Sequence, residues 1–136
     1  MKRLPNLEDT LLVRTDFSDD FLWNKICEEI NNPEAEYNAY VEFINDKEFD
    51  NLSSEEIILR LPKNFEHVIL LIADSDTFKN SEHTILCIDL YDEIGKKFRV
   101  IISELWSVEN NLSIANMDFC DFFNATDNDN IFRGFK

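Results

Sequence analysis

The side chains of this sequence that could do chemistry are concentrated between Ser103 and Phe119, where one tryptophan, two glutamates and three asparagines occur. Two carboxylates in one segment could act as an acid and a nucleophile or base, as in glycoside hydrolysis, if the fold sets the right separation. Arg14 lies inside an apolar run and could contribute a site for an anion or a carboxylate. These observations define a candidate pocket for a small ligand or substrate, formed by Arg14, Glu104, Trp106, Glu109 and Asn110.

Each of these side chains also has a structural interpretation, which the residue types favour. Arg14 is expected to form an ion pair that clamps a long loop to a sheet. The candidate partners are Asp16, Glu104 and Glu109. The glutamates would accept hydrogen bonds from loop backbone, and Trp106 would anchor the core. Because the segment has no clear helix or strand period, we expect a tightly packed loop.

The chain lacks the sequence signatures of metal, phosphate and nucleophile sites. His67 and His83 are the only histidines, and they are not in a zinc-ligand spacing. The only glycines are Gly95 and Gly134, so a glycine-rich phosphate loop is excluded. The Asp127–Asn130 segment begins like a calcium loop but lacks the central glycine and the closing glutamate. We therefore expect no metal and no cofactor, and a non-enzymatic function is favoured over an enzyme.

The charge balance restricts the class of partner. The chain carries 28 acidic and 13 basic residues, a formal net charge of −15. This charge disfavours nucleic acid and anionic membranes and favours a basic protein, although solubility alone is an alternative explanation. The candidate partner-binding residues are Asp19, Asp20, Glu28, Glu29, Asp46, Glu48 and Asp50, with Glu34 and Glu36 as further exposed acids.

Cysteine usage and hydropathy predict a cytoplasmic location. The three cysteines, Cys27, Cys87 and Cys120, are widely spaced among apolar residues, which predicts reduced, buried thiols. No apolar segment follows the basic start as in a signal peptide, and no apolar run is long enough to span a membrane. The oligomeric state cannot be read from these features.

Hydrophobic patterning predicts an α/β fold, with mixed α+β character, in a single domain of residues 1–136. We expect a mixed central sheet of about five strands with two to four helices packed on it, and residues 1–8 as a candidate flexible extension. The predicted strands are residues 10–15, 40–44, 67–73, 84–91 and 97–102, the last two joined by a hairpin loop.

The helix signals lie between these strands and near the end of the chain. Asp16 or Ser18 is expected to cap a helix that runs to Ile30, and Ser53 begins a capping box with Glu56. A short helix that contains Phe119, Phe122 and Phe123 is predicted after Asp118. Residues 74–82 are expected to form a polar loop, and the aromatic residues at 131–135 to dock on the domain.

Three segments resemble a family of small bacterial proteins without an established activity. They are LLVRTDFSDD from Leu11 with Trp23, ELWSVENNLSIANMDF from Glu104, and FRGF from Phe132. The resemblance extends over about residues 11–135. It implies a bacterial source and a single domain, and it implies no catalytic or binding residue.

These observations lead to three functional hypotheses. The first is an acidic protein–protein interaction module of the bacterial cytosol, in its sharper form an immunity-type inhibitor that covers the basic site of a toxin nuclease. The second is a small-ligand-binding protein or an enzyme, with its site around the Glu104–Asn116 segment. The third is an accessory structural protein. Clustering of the acidic residues on one surface would favour the first hypothesis, and a deep pocket would favour the second.

Overall fold

The computed structural model describes all residues, 1–136, and has a six-stranded mixed sheet at its centre. The strands are β1 Thr10–Arg14, β2 Val41–Ile44, β3 Ile69–Ala73, β4 Ile85–Asp89, β5 Lys97–Val100 and β6 Ile131–Phe132. The α-helices are α1 Asp20–Ile30, α2 Ser54–Ile58, α3 Ser75–Lys79, α4 Leu105–Ser113 and α5 Phe119–Phe123. Two 3-10 helices span Lys47–Phe49 and Ile102–Glu104.

The strand order is β2-β1-β3-β4-β5-β6. β1 pairs in parallel with β2 and β3, β4 is antiparallel to β3 and β5, and β6 pairs in parallel with β5. The predicted α/β class and the single domain are confirmed. The sheet has one strand more than expected because β6 is only two residues long, too short to leave an alternating pattern in the sequence.

Both faces of the sheet are covered, which explains why the central strands are apolar throughout. One face carries α1, α4 and α5, whose apolar residues pack on Leu12, Leu71 and Phe98. The opposite face packs on α2 and on Phe49 of the first 3-10 helix, and Leu4 is buried in the same layer. The Leu4 amide donates to the carbonyl of Arg60 at 2.7 Å, which holds the N-terminal segment against the domain.

The start of α1 differs from the expected one. Asp19 is the N-cap, and its carboxylate accepts the amide of Leu22 at 2.9 Å. Asp16 instead accepts the amide of Ser18 within the turn that precedes the helix. The sequence offers several capping residues in succession, so propensity alone does not choose among them.

The loop predicted for residues 74–82 is wrong, because it contains α3. Asp74 caps this helix by accepting the Thr77 amide, and the Thr77 hydroxyl accepts the Asp74 amide in return. Thr77 is buried and also donates its hydroxyl to the carbonyl of Thr84 at 2.7 Å. The capping box and this buried bond stabilise a five-residue helix whose composition is that of a loop.

The loop predicted for residues 103–119 is also wrong, because most of its length is α4. Leu105, Val108 and Leu112 recur with helical spacing and are buried in the core. Glu109 lies on the same buried side, and a charged residue within the apolar stripe hides the helical period. The predicted capping box of α2 and the short helix after Asp118 are both present.

The three thiols are free, and only two of them are shielded from solvent. Cys87 is buried and Cys27 is half-buried, and burial raises the pKa of the Cys27 thiol to about 11. Cys120 is exposed on α5, so the expectation of three buried cysteines is wrong at this position. None of the helices has both the length and the apolar character needed to cross a membrane.

Candidate functional site

Arg14 occupies a closed cage at the carboxyl end of β1. Arg14 is only 2% exposed. Its guanidinium donates hydrogen bonds to the Asp16 carbonyl at 2.7 Å and to Asn45 Oδ1 at 3.2 Å. It also pairs with Asp20 at 2.9 Å, and the Phe17 ring centroid lies 4.2 Å from its Cζ. Of its predicted partners, only Asp16 contacts it, and through the backbone carbonyl. The ion pair forms with Asp20, and the geometry is that of a structural clamp.

Glu109 lies against the opposite end of β1, and its carboxylate accepts four hydrogen bonds while being 3% exposed. The donors are the Thr10 hydroxyl at 3.0 Å, the Ser113 hydroxyl at 2.7 Å, the Tyr40 amide at 2.7 Å and the Asn110 side-chain amide at 3.0 Å. Every contact is made within the protein. The carboxylate thus ties α4 to the starts of β1 and β2 and faces no open cavity.

Two other residues of α4 hold the segment that leads into β2. Asn110 donates to the Asn38 carbonyl at 3.2 Å. The Trp106 ring stacks on Tyr37 with centroids 4.5 Å apart and an interplanar angle of 20°. Trp106, Asn110 and Glu109 therefore contact three successive parts of the Tyr37–Tyr40 segment.

Glu104 lies beside the C-terminal segment. A Cβ atom built on Gly134, which has a φ of +106°, would come within 2.7 Å of Glu104 Oε1. The positive φ favours glycine at this position, whereas the Glu104 carboxylate, at the far end of a flexible side chain, could move to admit a Cβ atom. The fold brings Trp106, Glu109 and Asn110 together at one end of β1, whereas Arg14 lies at the other end.

A cleft of about 340 Å³ opens beside the Tyr37–Trp106 stack. We call it the aromatic cleft. Its floor includes Ile30 and Leu105, and the exposed carboxylates of Glu29 and Glu36 border it. It is lined by Glu29, Ile30, Asn32, Ala35, Glu36, Tyr37, Asn38, Ala39, Ile102, Ser103, Leu105 and Trp106.

The aromatic cleft combines residues from both sets predicted from the sequence. Trp106 comes from the candidate pocket and Glu29 from the candidate acidic surface. Sequence reasoning missed Tyr37 and Asn38 as lining residues. Tyr37 lies in an acidic stretch directly after α1, and an aromatic residue at such a position was the one available signal.

The acidic residues predicted to bind a partner do not form one patch. Asp19 and Asp20 are at the N-terminus of α1, where they cap the helix and pair with Arg14. Glu28 and Glu29 lie in its last turn, roughly 12 Å away along the helix axis. The three acids nearest the first 3-10 helix belong to a layer on the opposite face of the sheet, where Phe49 packs; they are Asp46, Glu48 and Asp50.

The acids differ further in whether they have partners. Asp46 caps its helix and pairs with Lys2, whose hydrogen bond holds the pKa of the Asp46 carboxyl below its usual value. In contrast, Glu28, Glu29 and Glu36 take part in none of the ion pairs of the molecule. Asp19, Glu48 and Asp50 are likewise outside the ion pairs, but Glu29 and Glu36 are the two unpaired acids that border the aromatic cleft, and Glu28 lies next to Glu29.

A wider groove of about 920 Å³ lies at the carboxyl ends of β1 and β3. Its lining is mainly polar and includes Thr15, Asn51 and Asp74. The two basic side chains on its β5 side are already paired, Lys97 with Glu55 at 3.3 Å and Arg99 with Asp74. We call it the strand-end groove. No group of three or more His, Cys, Asp and Glu side chains is arranged to hold a metal ion.

Comparison with known proteins gives a family and no function. A family model described as "Domain of unknown function (DUF6924)" matches residues 9–135, which is nearly the whole chain. A search of curated proteins found no match. The chain therefore belongs to the DUF6924 family.

Proposed function

We propose that the protein is a non-enzymatic interaction module that binds a basic protein through the acidic surface around the aromatic cleft. The observation that carries this proposal is the position of Glu28 and Glu29 in the last turn of α1, which contains no basic residue. The C-terminus of a helix carries partial negative charge, so two carboxylates there oppose the helix dipole. A sequence that breaks a local rule without a compensating contact often does so at a functional site.

The surroundings of these two acids fit protein recognition. Tyr and Trp are the residue types most enriched at the energetic centres of interfaces, and Tyr37 and Trp106 border the same cleft as Glu29. Complementary charge accelerates association with a basic partner and selects against acidic ones. The narrower form of the proposal is an immunity-type inhibitor in the bacterial cytoplasm, which covers the basic active site of a toxin nuclease.

A pull-down with the tagged full chain tests the proposal. Lysate of the native cell is passed over the wild type, over the E28Q/E29Q/E36Q variant and over a control, E8Q/D9N/E66Q. The control removes three exposed acids that are distant in sequence from the cleft and have no side-chain partner. We expect one stoichiometric basic protein that is released by salt, retained by the control and lost from the cleft variant.

The outcomes separate the forms of the proposal. A captured partner with nuclease activity that the wild type inhibits would support the immunity role, and a basic partner without such activity would support the general module. Capture of no basic protein at low salt would contradict both.

Ligand binding in the strand-end groove is a second candidate function. Ligands of α/β sheets bind outside the carboxyl ends of parallel strands where the strand order reverses, and the groove lies there, next to β1 and β3. A thermal-shift screen with nucleotides, sugars and amino acids tests this. A stabilisation that an Asn51→Ala variant removes would favour the ligand-binding function, and no shift would count against it.

A further inference from the structure

We infer that the aromatic cleft is a receptor for an arginine side chain presented by the basic partner. This inference rests on the proposed function and names the group that the partner inserts. It follows from the shape of the cleft, from its charge and from the hydrogen-bonding groups of its lining.

The shape suits a side chain that is flat and partly apolar. Trp106 and Tyr37 are stacked, so one ring face of Tyr37 is covered while the residue remains 53% exposed. A planar guanidinium can stack on the uncovered face of such a ring, and its methylene stem can pack along Ile30 and Ala35.

The charge of the cleft selects a cation. Glu29 and Glu36 border it, and no Lys or Arg is among its lining residues. Glu28 lies beside Glu29 in an adjoining depression, whose lining also includes Lys25 and His83. Lys25 is directed toward another ring, with its Nζ 5.2 Å from the centroid of Phe21. The carboxylates of the cleft thus remain available to a partner's cation.

The lining also offers a hydrogen-bond acceptor that the protein leaves unused. Asn38 Oδ1 is buried and has no hydrogen-bond donor. Such an atom costs free energy unless a donor reaches it. A rotation of the Asn38 amide into the cleft would present this oxygen to a bound guanidinium, which has five N–H donors and no acceptor. A planar guanidinium can stack on a ring face and donate hydrogen bonds to separate acceptors at the same time. The ammonium group of lysine cannot do both, so arginine fits the cleft better.

The test is a titration of the full-length ¹⁵N-labelled protein, followed through its indole N–H resonances. The ligands are three acetylated hexapeptides of alternating glycine with arginine, with lysine or with citrulline, which is neutral and nearly isosteric with arginine. The chain has two tryptophans, and Trp23 is buried on the core-facing side of α1, so the Trp106 indole reports on the cleft. We expect a saturable shift of that resonance with the arginine peptide, weaker binding of the lysine peptide and no shift with citrulline.

Variants connect the shift to the cleft. E29Q/E36Q should weaken binding of the arginine peptide about fivefold, as expected for the loss of two exposed charge interactions. Y37A should weaken it as well, and because Tyr37 is largely exposed the fold should tolerate the change. E8Q/E66Q is the matched control and should leave the affinity within about twofold of the wild type. Amide spectra of each variant verify that it is folded.

Three results would overturn the inference: no shift of the Trp106 indole, an equal response to citrulline, or equal weakening in the control. Each of these is compatible with capture of a basic partner in the pull-down, in which case the partner binds elsewhere and the interaction function stands. Absence of any basic partner would instead remove the proposed function itself.

Discussion

At the scale of single residues, two deeply buried charged side chains, Arg14 and Glu109, have structural partners on every side. Arg14 is enclosed by aromatic rings and three hydrogen-bond acceptors, and Glu109 by four donors. Burying a charge is tolerated when hydrogen bonds surround it, and both sites satisfy that condition. The sequence suggested these residues for a pocket because a charge in an apolar run is typical of both functional and structural sites.

Replacement of Arg14 should destabilise the fold. Arg14→Ala removes a large buried side chain with its ring contacts and leaves Asn45 and the Asp16 carbonyl without their donor. We expect a loss of about 3 kcal/mol in the free energy of unfolding. Arg14→Lys should be intermediate, because it keeps the charge but loses the fork that reaches three acceptors. Urea unfolding measures the effect, and an unchanged midpoint in Arg14→Ala would refute the clamp.

Glu109 allows a sharper comparison, because its amide analogue can reproduce the hydrogen bonds. In Glu109→Gln the carbonyl can still accept from Tyr40 and Asn110, while the amide donates to the hydroxyls of Thr10 and Ser113. We expect a loss of about 1 kcal/mol for Gln and about 3 kcal/mol for Glu109→Ala, which leaves buried donors unsatisfied. Equal losses in the two variants would mean that the hydrogen bonds do not decide the stability of this connection.

At the scale of elements, a helix or strand was predictable from the sequence where its buried positions are all apolar. β3 was predictable because a strand buried on both faces leaves an unbroken apolar run. α4 was not predictable, because one of its buried positions is occupied by Glu109. A search for the helical period that counts only apolar residues does not recognise this position as buried. The aromatic cleft could not be predicted, since Tyr37 and Trp106 are far apart in the chain and only the packing of α4 brings them together.

The C-terminus of α1 should show a conflict between stability and binding. Replacing Glu28 and Glu29 by Gln removes two carboxylates that oppose the helix dipole and have no cation partner. We expect E28Q/E29Q to raise the free energy of unfolding by about 1 kcal/mol. The same variant should bind the basic partner more weakly. Thermal unfolding at low ionic strength measures the first effect, with E8Q/E66Q as control.

Salt provides an independent measure of the same effect. The stabilisation by E28Q/E29Q should shrink as ionic strength rises, since dipole interactions at an exposed helix end are screened. A variant that is less stable than the wild type would show that these glutamates support the helix, and the main observation behind the proposed function would be lost.

At the scale of the whole molecule, the large negative charge and the local ion pairs act in opposite directions as pH falls. Protonation of exposed acids relieves the repulsion that accompanies a net charge of −15, which favours the compact state. It also removes the carboxylates that pair with basic side chains. The most connected of these is Arg133 on the C-terminal segment, which binds Glu82 and Asp129 at 2.8 and 2.7 Å and Asp127 at 2.6 Å.

The pKa values of the carboxyl groups around Arg133 determine whether these ion pairs stabilise the fold more or less as the pH falls. Hydrogen bonds from Arg133 lower the pKa of Glu82 and of Asp129, and those from Lys136 and Arg133 lower that of Asp127. A carboxyl whose pKa is lower in the folded state stabilises the fold above its unfolded pKa, about 4, and this contribution is lost as pH falls through the folded pKa. The Arg133 network should therefore weaken below about pH 4.

Removal of Arg133 separates the two terms. We expect R133Q to have a lower Tm than the wild type at pH 6, and the difference should stay nearly constant down to about pH 4 and narrow below it. K63Q removes one positive charge from an exposed side chain without an ion pair, so it reproduces the change in net charge but not the loss of the network. Thermal unfolding of the three proteins between pH 3 and 7 makes the comparison. If K63Q and R133Q were indistinguishable across this range, the C-terminal network would contribute nothing beyond net charge. A difference confined to R133Q would locate the acid sensitivity of the fold in the contacts that hold the C-terminal segment to the turn before β6 and to the loop between α3 and β4.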